Sequence, residues 1–302
     1  MPVLTSAYAP LLTPELEDIF IDAGEESPLQ YPFWINVDMG MPWNPIESRQ
    51  FASLASSVSM TEGENFTRDR PLVGGTKTFT ATPYGLAFEA SLVAQEDDQY
   101  DLFNAMAGEL GRSQRDKAEV RAASVLNNAF DTAFLGYTAG ESLCSTSHAR
   151  VDAGTAQANK PTVETELSQT GVQNEQIRLR KLVSERGLKS PMRFRQAIVP
   201  TDLLYRSREV FGSPLKPDTA NNEINALVGD DFSVLIYDYL TNAKRWFLSA
   251  GKGVHDCWLR WRSQPRFATS TDPNNLNMLM TTWMRLAEGF RSWKGIAGSN
   301  PA

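Results

Sequence analysis

Apolar residues recur along this chain at two periods, and the switches between them mark out its elements. Leu102, Phe103, Met106, Leu110, Val120, Val125, Leu126, Ala129, Phe130 and Ala133 follow helical spacing, which keeps side chains on one face of a rod. Glu96, Asp97 and Asp98 place negative charge at its start, and Gly136 supplies a stop. Uninterrupted, this predicts a helix of about 37 residues and about 55 Å, against a radius of gyration of about 19 Å for a compact fold of this size. Gly108 and Gly111 are the places where it would break in two.

Elsewhere the period is two. Thr76–Thr82 alternates, Leu86–Val93 reads as a second strand, and Pro83-Tyr84-Gly85 between them has turn chemistry, so a hairpin is expected. Its first strand is mostly threonine, with Phe79 its one strongly apolar residue. That suits either an edge hairpin of the parent sheet or a ribbon projecting into solvent or across a partner. Phe194–Val199 reads as a buried strand. Phe232–Leu240 and Arg245–Ser249 are expected to pair across a turn at Thr241-Asn242, and Cys257–Trp261, Met278–Leu286 and the Trp293 region make a strand-rich end. Shorter helices are predicted over Thr13–Asp22, with Thr13 as N-cap and Pro14 first, over Gly171–Arg186 closed by Gly187, and from Thr201. Helices and strands segregate, giving the α+β class.

Before Arg49 lie eight acids and no base, so the remainder is near neutral, with 29 basic residues against 28 acidic. A binder of specific nucleic-acid sequences needs a basic stripe that this balance does not supply, and secretory and mitochondrial leaders begin basic. No apolar run approaches the roughly 18 residues of a membrane span, and two cysteines make no disulfide framework, pointing to a reducing compartment. The first 60 residues are broken by Pro28, Pro32, Pro42 and Pro45 among Tyr31, Phe33, Trp34 and Trp43. Such an arm cannot bury two tryptophans within itself, so their rings must lie on the body or on a neighbour.

Two pairs invite a chemical reading: Cys144 with His148 in a Ser/Thr-rich loop, and His255 with Cys257 on a strand. Together they have the inventory of a tetrahedral zinc site, although structural zinc motifs space Cys from Cys and His from His. Cys144 beside His148 also suggests a nucleophile and base, but such thiols usually take their base from elsewhere in the fold. Gly74-Gly75 precedes a strand, whereas a phosphate loop follows one. The acids at Glu25-Glu26, Glu96-Asp97-Asp98 and Asp230-Asp231 fall in leaders, caps or turns, and the tryptophans between Trp246 and Trp293 sit at core spacing. The basic run Arg178, Arg180, Lys181, Arg186, Lys189, Arg193 and Arg195 reads as a solvated face, or as a dock for the acidic leader of a neighbouring copy.

The order of these parts resembles the major capsid proteins of tailed bacteriophages with the Hong Kong 97-type fold. Gly74–Thr82 with Tyr84–Phe88 is similar to the extended-loop hairpin of a subfamily close to the Mu-like head subunits. Asn127–Phe130 and Leu143–His148 resemble its spine-helix end and following loop; Ile198-Val-Pro200, Asn222–Asn225 and Tyr237–Leu240 its axial domain; Trp293–Ser299 its C-terminal strand. The resemblance implies an arm over 1–60, an extended-loop hairpin over 61–96, a peripheral domain with the spine helix over 97–165, an axial domain over 166–250 and return strands over 251–302. It implies a non-enzymatic subunit of an icosahedral head around packaged double-stranded DNA, made in the host cytoplasm, with no cofactor or metal. Partners would be copies of itself in pentamers and hexamers, a portal, a separate scaffold or protease, and decoration proteins, without sequence-specific DNA binding or a membrane. Trp34, Trp43, Arg68, Arg70, Lys77, Phe79, Tyr84, Arg178 and Lys181 are then the candidate subunit contacts. The alternatives are a nanocompartment shell of the same fold and a cytosolic zinc- or cysteine-dependent hydrolase using Cys144, His148, His255 and Cys257.

Overall fold

The computed structural model describes residues 9–25, 28–91, 93–94, 97, 102–134, 136–137, 140–216, 223–229 and 232–302. Helix α1 (Ala9–Glu25) is followed by a turn of 3-10 helix (Tyr31–Phe33) and by strands β1 (Asn36–Asp38), β2 (Ile46–Ala52), β3 (Leu72–Phe79) and β4 (Thr82–Ala90). Then come α2 (Leu102–Asn127), α3 (Gln169–Arg180), β5 (Gln196–Val199) and α4 (Leu204–Gly212), with a 3-10 turn at Thr201–Leu203. Strands β6 (Ser233–Ile236), β7 (Trp246–Ser249), β8 (Cys257–Thr271), β9 (Met278–Phe290) and β10 (Ile296–Ser299) complete the chain. They form one sheet in the order β1-β8-β9-β4, another in the order β10-β7-β5-β6, and a two-stranded ribbon of β2 and β3.

Helix α2 is the spine. Its 26 residues span about 39 Å, shorter than the periodicity predicted. The acidic start at Glu96 and Asp98 lies outside the described residues. At the other end Asn127 stops the helix: its side chain donates to Tyr239 O and accepts from Thr241 N, while Arg245 caps its carbonyl at 2.7 Å. Phe103, Ala107 and Leu110 bury against Met280 of β9 and Leu16 and Phe20 of α1. Further along, Ala118, Ala122, Val125 and Leu126 join Met284, Leu286, Leu259, Ile198 and Phe247 in the core that links the two sheets. Gly108 and Gly111 do not break the rod; they admit α1. A Cβ on Gly111 would lie 2.2 Å from Phe20 O, and one on Gly108 3.1 Å from Ala23 Cβ. Helix α1 itself begins at Ala9, so Pro10 occupies its first turn and Pro14 lies one turn later.

Three further expectations are corrected. Strand β3 pairs with β2, not with β4, and β4 joins β9 as the edge of the first sheet. Pro83, Tyr84 and Gly85 lie within β4 instead of forming a turn; an edge strand tolerates a proline because its missing N–H costs no ladder bond on the open side. Strands β6 and β7 are separated by β5, parallel to one and antiparallel to the other. The strand ends at Ile236 because Tyr237 and Asp238 are drawn off to bind Glu119 and Thr201. Helix α3 stops at Arg180, where Gln157 takes both backbone groups of Val183; Gly187, with φ of +81°, belongs to the turn beyond.

Residues 28–38 cross the body as an irregular strap whose Trp34 and Ile35 are fully buried. Buried backbone polar groups need partners, and side chains from across the fold provide them. Glu119 of α2 accepts from Gln30 N at 2.5 Å and Tyr31 N at 3.1 Å, and from the Tyr237 hydroxyl at 2.9 Å. Lys252 donates to Pro32 O, Gln196 to Phe33 O and His255 Nε2 to Trp34 O. Burial raises the Glu119 carboxyl above its usual range, opposed by those donors and by Arg115.

Two outcomes follow from this packing. Gly111→Ala forces α1 off the spine; we expect a stability loss of about 1–3 kcal/mol, with hydrogen exchange over residues 9–25 rising most, and a wild-type exchange pattern would contradict the close approach. Glu119 binds a proton more tightly folded than unfolded, so its contribution is greatest in acid and declines as pH rises from about 4.5 through its raised folded value. In urea titrations across that window, Glu119→Gln should remove this downward slope; parallel pH profiles for the two chains would refute it.

Candidate functional site

The ribbon of β2 and β3 carries residues 53–71 at its end, and every residue of that loop is exposed. Phe66 is 83% exposed and Val58 64%, with Leu54 and Met60 beside them in sequence and Phe51 and Val73 on the ribbon. Six large apolar side chains are thus exposed between residues 51 and 73. Nothing in the sequence signals this segment by period, because Leu54, Val58, Met60 and Phe66 fit neither helical nor strand spacing.

The ribbon's footing is built from cations and rings. Arg291 lies 5.1 Å from the Trp258 ring, Arg260 5.3 Å from Trp258 and 4.7 Å from Phe79, and Lys77 5.8 Å from Phe79 and 5.7 Å from Phe134. Beneath them Met41, Phe79, Ala81 and Ala287 form a small buried cluster. Burial lowers the Lys77 ammonium below its usual range. Asn44 Oδ1 accepts from Ala81 N at 2.9 Å, tying the two ends of the ribbon. Tyr137 holds its flank, with its hydroxyl 2.9 Å from Ser48 Oγ. The Gly74-Gly75 pair serves this contact: a Cβ on Gly75 would lie 1.8 Å from Tyr137 O.

The nine residues expected at subunit contacts divide three ways. Trp34 and Phe79 are buried inside their own subunit, at 0% and 1% exposure. Lys77, Tyr84 and Arg178 have partners within it: the rings above, Lys117 and Arg121 flanking Tyr84, and Glu175 at 3.0 Å from Arg178. Trp43, Arg68, Arg70 and Lys181 remain exposed, Trp43 at 73%. The two arm tryptophans thus have opposite fates, one in the body and one outward.

Cys144 and Cys257 are buried in the main core, and burial raises both thiols well above their usual range. His148 places Nε2 at 2.9 Å from Asn159 Oδ1 and Nδ1 at 3.1 Å from Glu141, and its ring stacks on Trp293 at 4.2 Å. His255 accepts from Cys257 N at Nδ1, so Nε2 carries the proton that it donates to Trp34 O at 2.6 Å. All four ring nitrogens are therefore committed to structural bonds. Among the described residues no group of three His, Cys, Asp or Glu is placed to hold a metal ion, and no helix is long and apolar enough to cross a membrane.

The family model for phage capsid proteins matches residues 75–299. Among solved structures, the fold is similar to the capsid of a native GTA particle, with TM-score 0.61 and 11% identity over 92% of this chain and 91% of that one. It is similar to the capsid of cyanophage P-SCSP1u, with TM-score 0.58 and 10% identity over 91% and 88%. The procapsid of bacteriophage JBD30 gives TM-score 0.54 and 14% identity over 99% and 77%. Comparison with curated sequences gave no match. The spine helix, the two sheets and the outward ribbon are those of the Hong Kong 97-type fold, and the chain belongs to the phage capsid proteins, as a structural subunit of a virion shell.

Proposed function

We propose that this chain builds the icosahedral head of a tailed phage, close to the Mu-like head subunits, and encloses double-stranded DNA. The observation that carries the reading is the ribbon with its apolar loop, fixed at the foot and exposed at Phe66 and Val58. In a shell the loop lies on a neighbouring copy, and modest contacts multiply over many subunits. The extended loop is then best bounded at 46–79. The peripheral part gathers α2 with β1, β4, β8 and β9, and the axial part gathers α3, α4 and the sheet of β5, β6, β7 and β10. Trp43, Arg68, Arg70 and Lys181 are proposed as contacts beside Phe66 and Val58. A near-neutral body suits a container, because tight phosphate binding would hinder the passage of DNA. Pentamers and hexamers, a portal, a scaffold or protease and decoration proteins are the partners this role requires.

Electron microscopy after gel filtration should show shells, tubes or five- and six-fold rings. Replacing residues 54–70 by a short glycine linker should abolish them while leaving the subunit's circular dichroism unchanged. Assembly that survives the deletion would remove the loop from the reading, and a wild-type chain that stays monomeric even with its phage's own head genes co-expressed would remove the shell.

A further inference from the structure

Loop 53–71 is bonded to the rest of its own subunit at one point. Among the described residues, every hydrogen bond or ion pair leaving the loop runs through Asp69. Arg186 Nη2 donates to both Asp69 oxygens, at 2.7 and 2.9 Å, while Asp69 Oδ2 also accepts from Ala55 N at 2.7 Å and so closes the loop's base. The two ends of this contact differ in rigidity. Arg186 stands on a turn closed by Ser184 N to Leu188 O at 2.6 Å. Its neighbour Glu185 is fixed to the body by Lys294 at 2.8 Å and by Val151 N at 3.1 Å. Asp69 has no such foundation beyond the loop itself.

We propose that the Asp69–Arg186 pair is a pin acting within one subunit, which holds the apolar loop against its own body and slows assembly until a second copy takes the loop over. This rests on the reading of the loop as an assembly contact. Without a restraint, four apolar side chains on an unanchored loop would be free to join any other apolar surface. A surface ion pair restrains by a factor of a few, not by orders of magnitude, which is the right scale for a contact that must be exchanged. Salt should loosen it by screening.

The test compares the wild-type chain with Arg186→Gln, Asp69→Asn and the swap Asp69→Arg/Arg186→Asp. Thermolysin cleavage before Phe66 reads the loop in the free subunit, and light scattering reads shell formation. Each single substitution should raise both rates about three- to five-fold, and the swap, which re-forms the ion pair but leaves Ala55 N without its acceptor, should bring both part of the way back. Cleavage unchanged in the single variants would overturn the pin. Faster cleavage with assembly unchanged or slower would overturn the brake while leaving the shell intact. No shells from any chain, wild type included, even with its phage's own head genes co-expressed, would overturn the assembly reading and the brake with it.

Discussion

An irregular segment that passes through a core must find a partner for each backbone polar group it buries, and this requirement governs the architecture around residues 28–38. A strand would meet it with a ladder and a helix with its own carbonyls. Before β1 the strap has a single 3-10 turn, in which Gln30 O and Tyr31 O take the N–H groups of Phe33, Trp34 and Ile35; for the rest the fold recruits Glu119 from the spine, Gln196 from β5, and Lys252 and His255 from the segment before β8. Those residues belong to elements that otherwise meet mainly through apolar contact. Because each serves the same strap, the spine helix and both sheets are held in one relative orientation. Trp34, packed against Tyr237 and His255, fills the space at their junction.

Much of this was legible in the sequence. The spine helix, β8, β9 and the helix after Ser168 each carry a period that local physics enforces, because a shift by one residue would turn a buried face to water. Leu259, Met284 and Val125 are buried where their spacing requires. The order of the elements resembles that of a capsid subunit, and the family match and fold agree with it. A proline-broken arm cannot bury two tryptophans within itself, and of the two choices left, body or neighbour, Trp34 takes the body while Trp43 stays exposed.

What stayed hidden was nonlocal pairing. Strand β2, Ile-Glu-Ser-Arg-Gln-Phe-Ala, carries too few apolar residues to declare itself, so the threonine-rich β3 seemed to pair with the next strand along the chain. Its true partner lies across a loop of nineteen residues with no period of its own. The insertion of β5 between β6 and β7 was hidden for a related reason. A parallel neighbour reached through a long crossover leaves no turn motif to read. The roles of Gly108, Gly111 and Gly75 were equally obscure, since a glycine that admits another backbone is written the same way as one that breaks a helix.

The ribbon joins two kinds of cation contact with different physical consequences. At its foot, Arg291, Arg260 and Lys77 alternate with Trp258, Phe79 and Phe134, and charge over a partly buried ring is less exposed to counter-ions than a pair of surface charges. In the loop a carboxylate–guanidinium pair joins Asp69 to Arg186, with the carboxylate the more exposed of the two. The direction of the ribbon is therefore fixed by several cation–ring contacts, while among the described residues the loop is bonded to the body through one ion pair. A subunit built this way meets its neighbours with the ribbon already aimed and only the tip left to rearrange. That keeps the entropy lost on association small and leaves the apolar loop to supply the attraction.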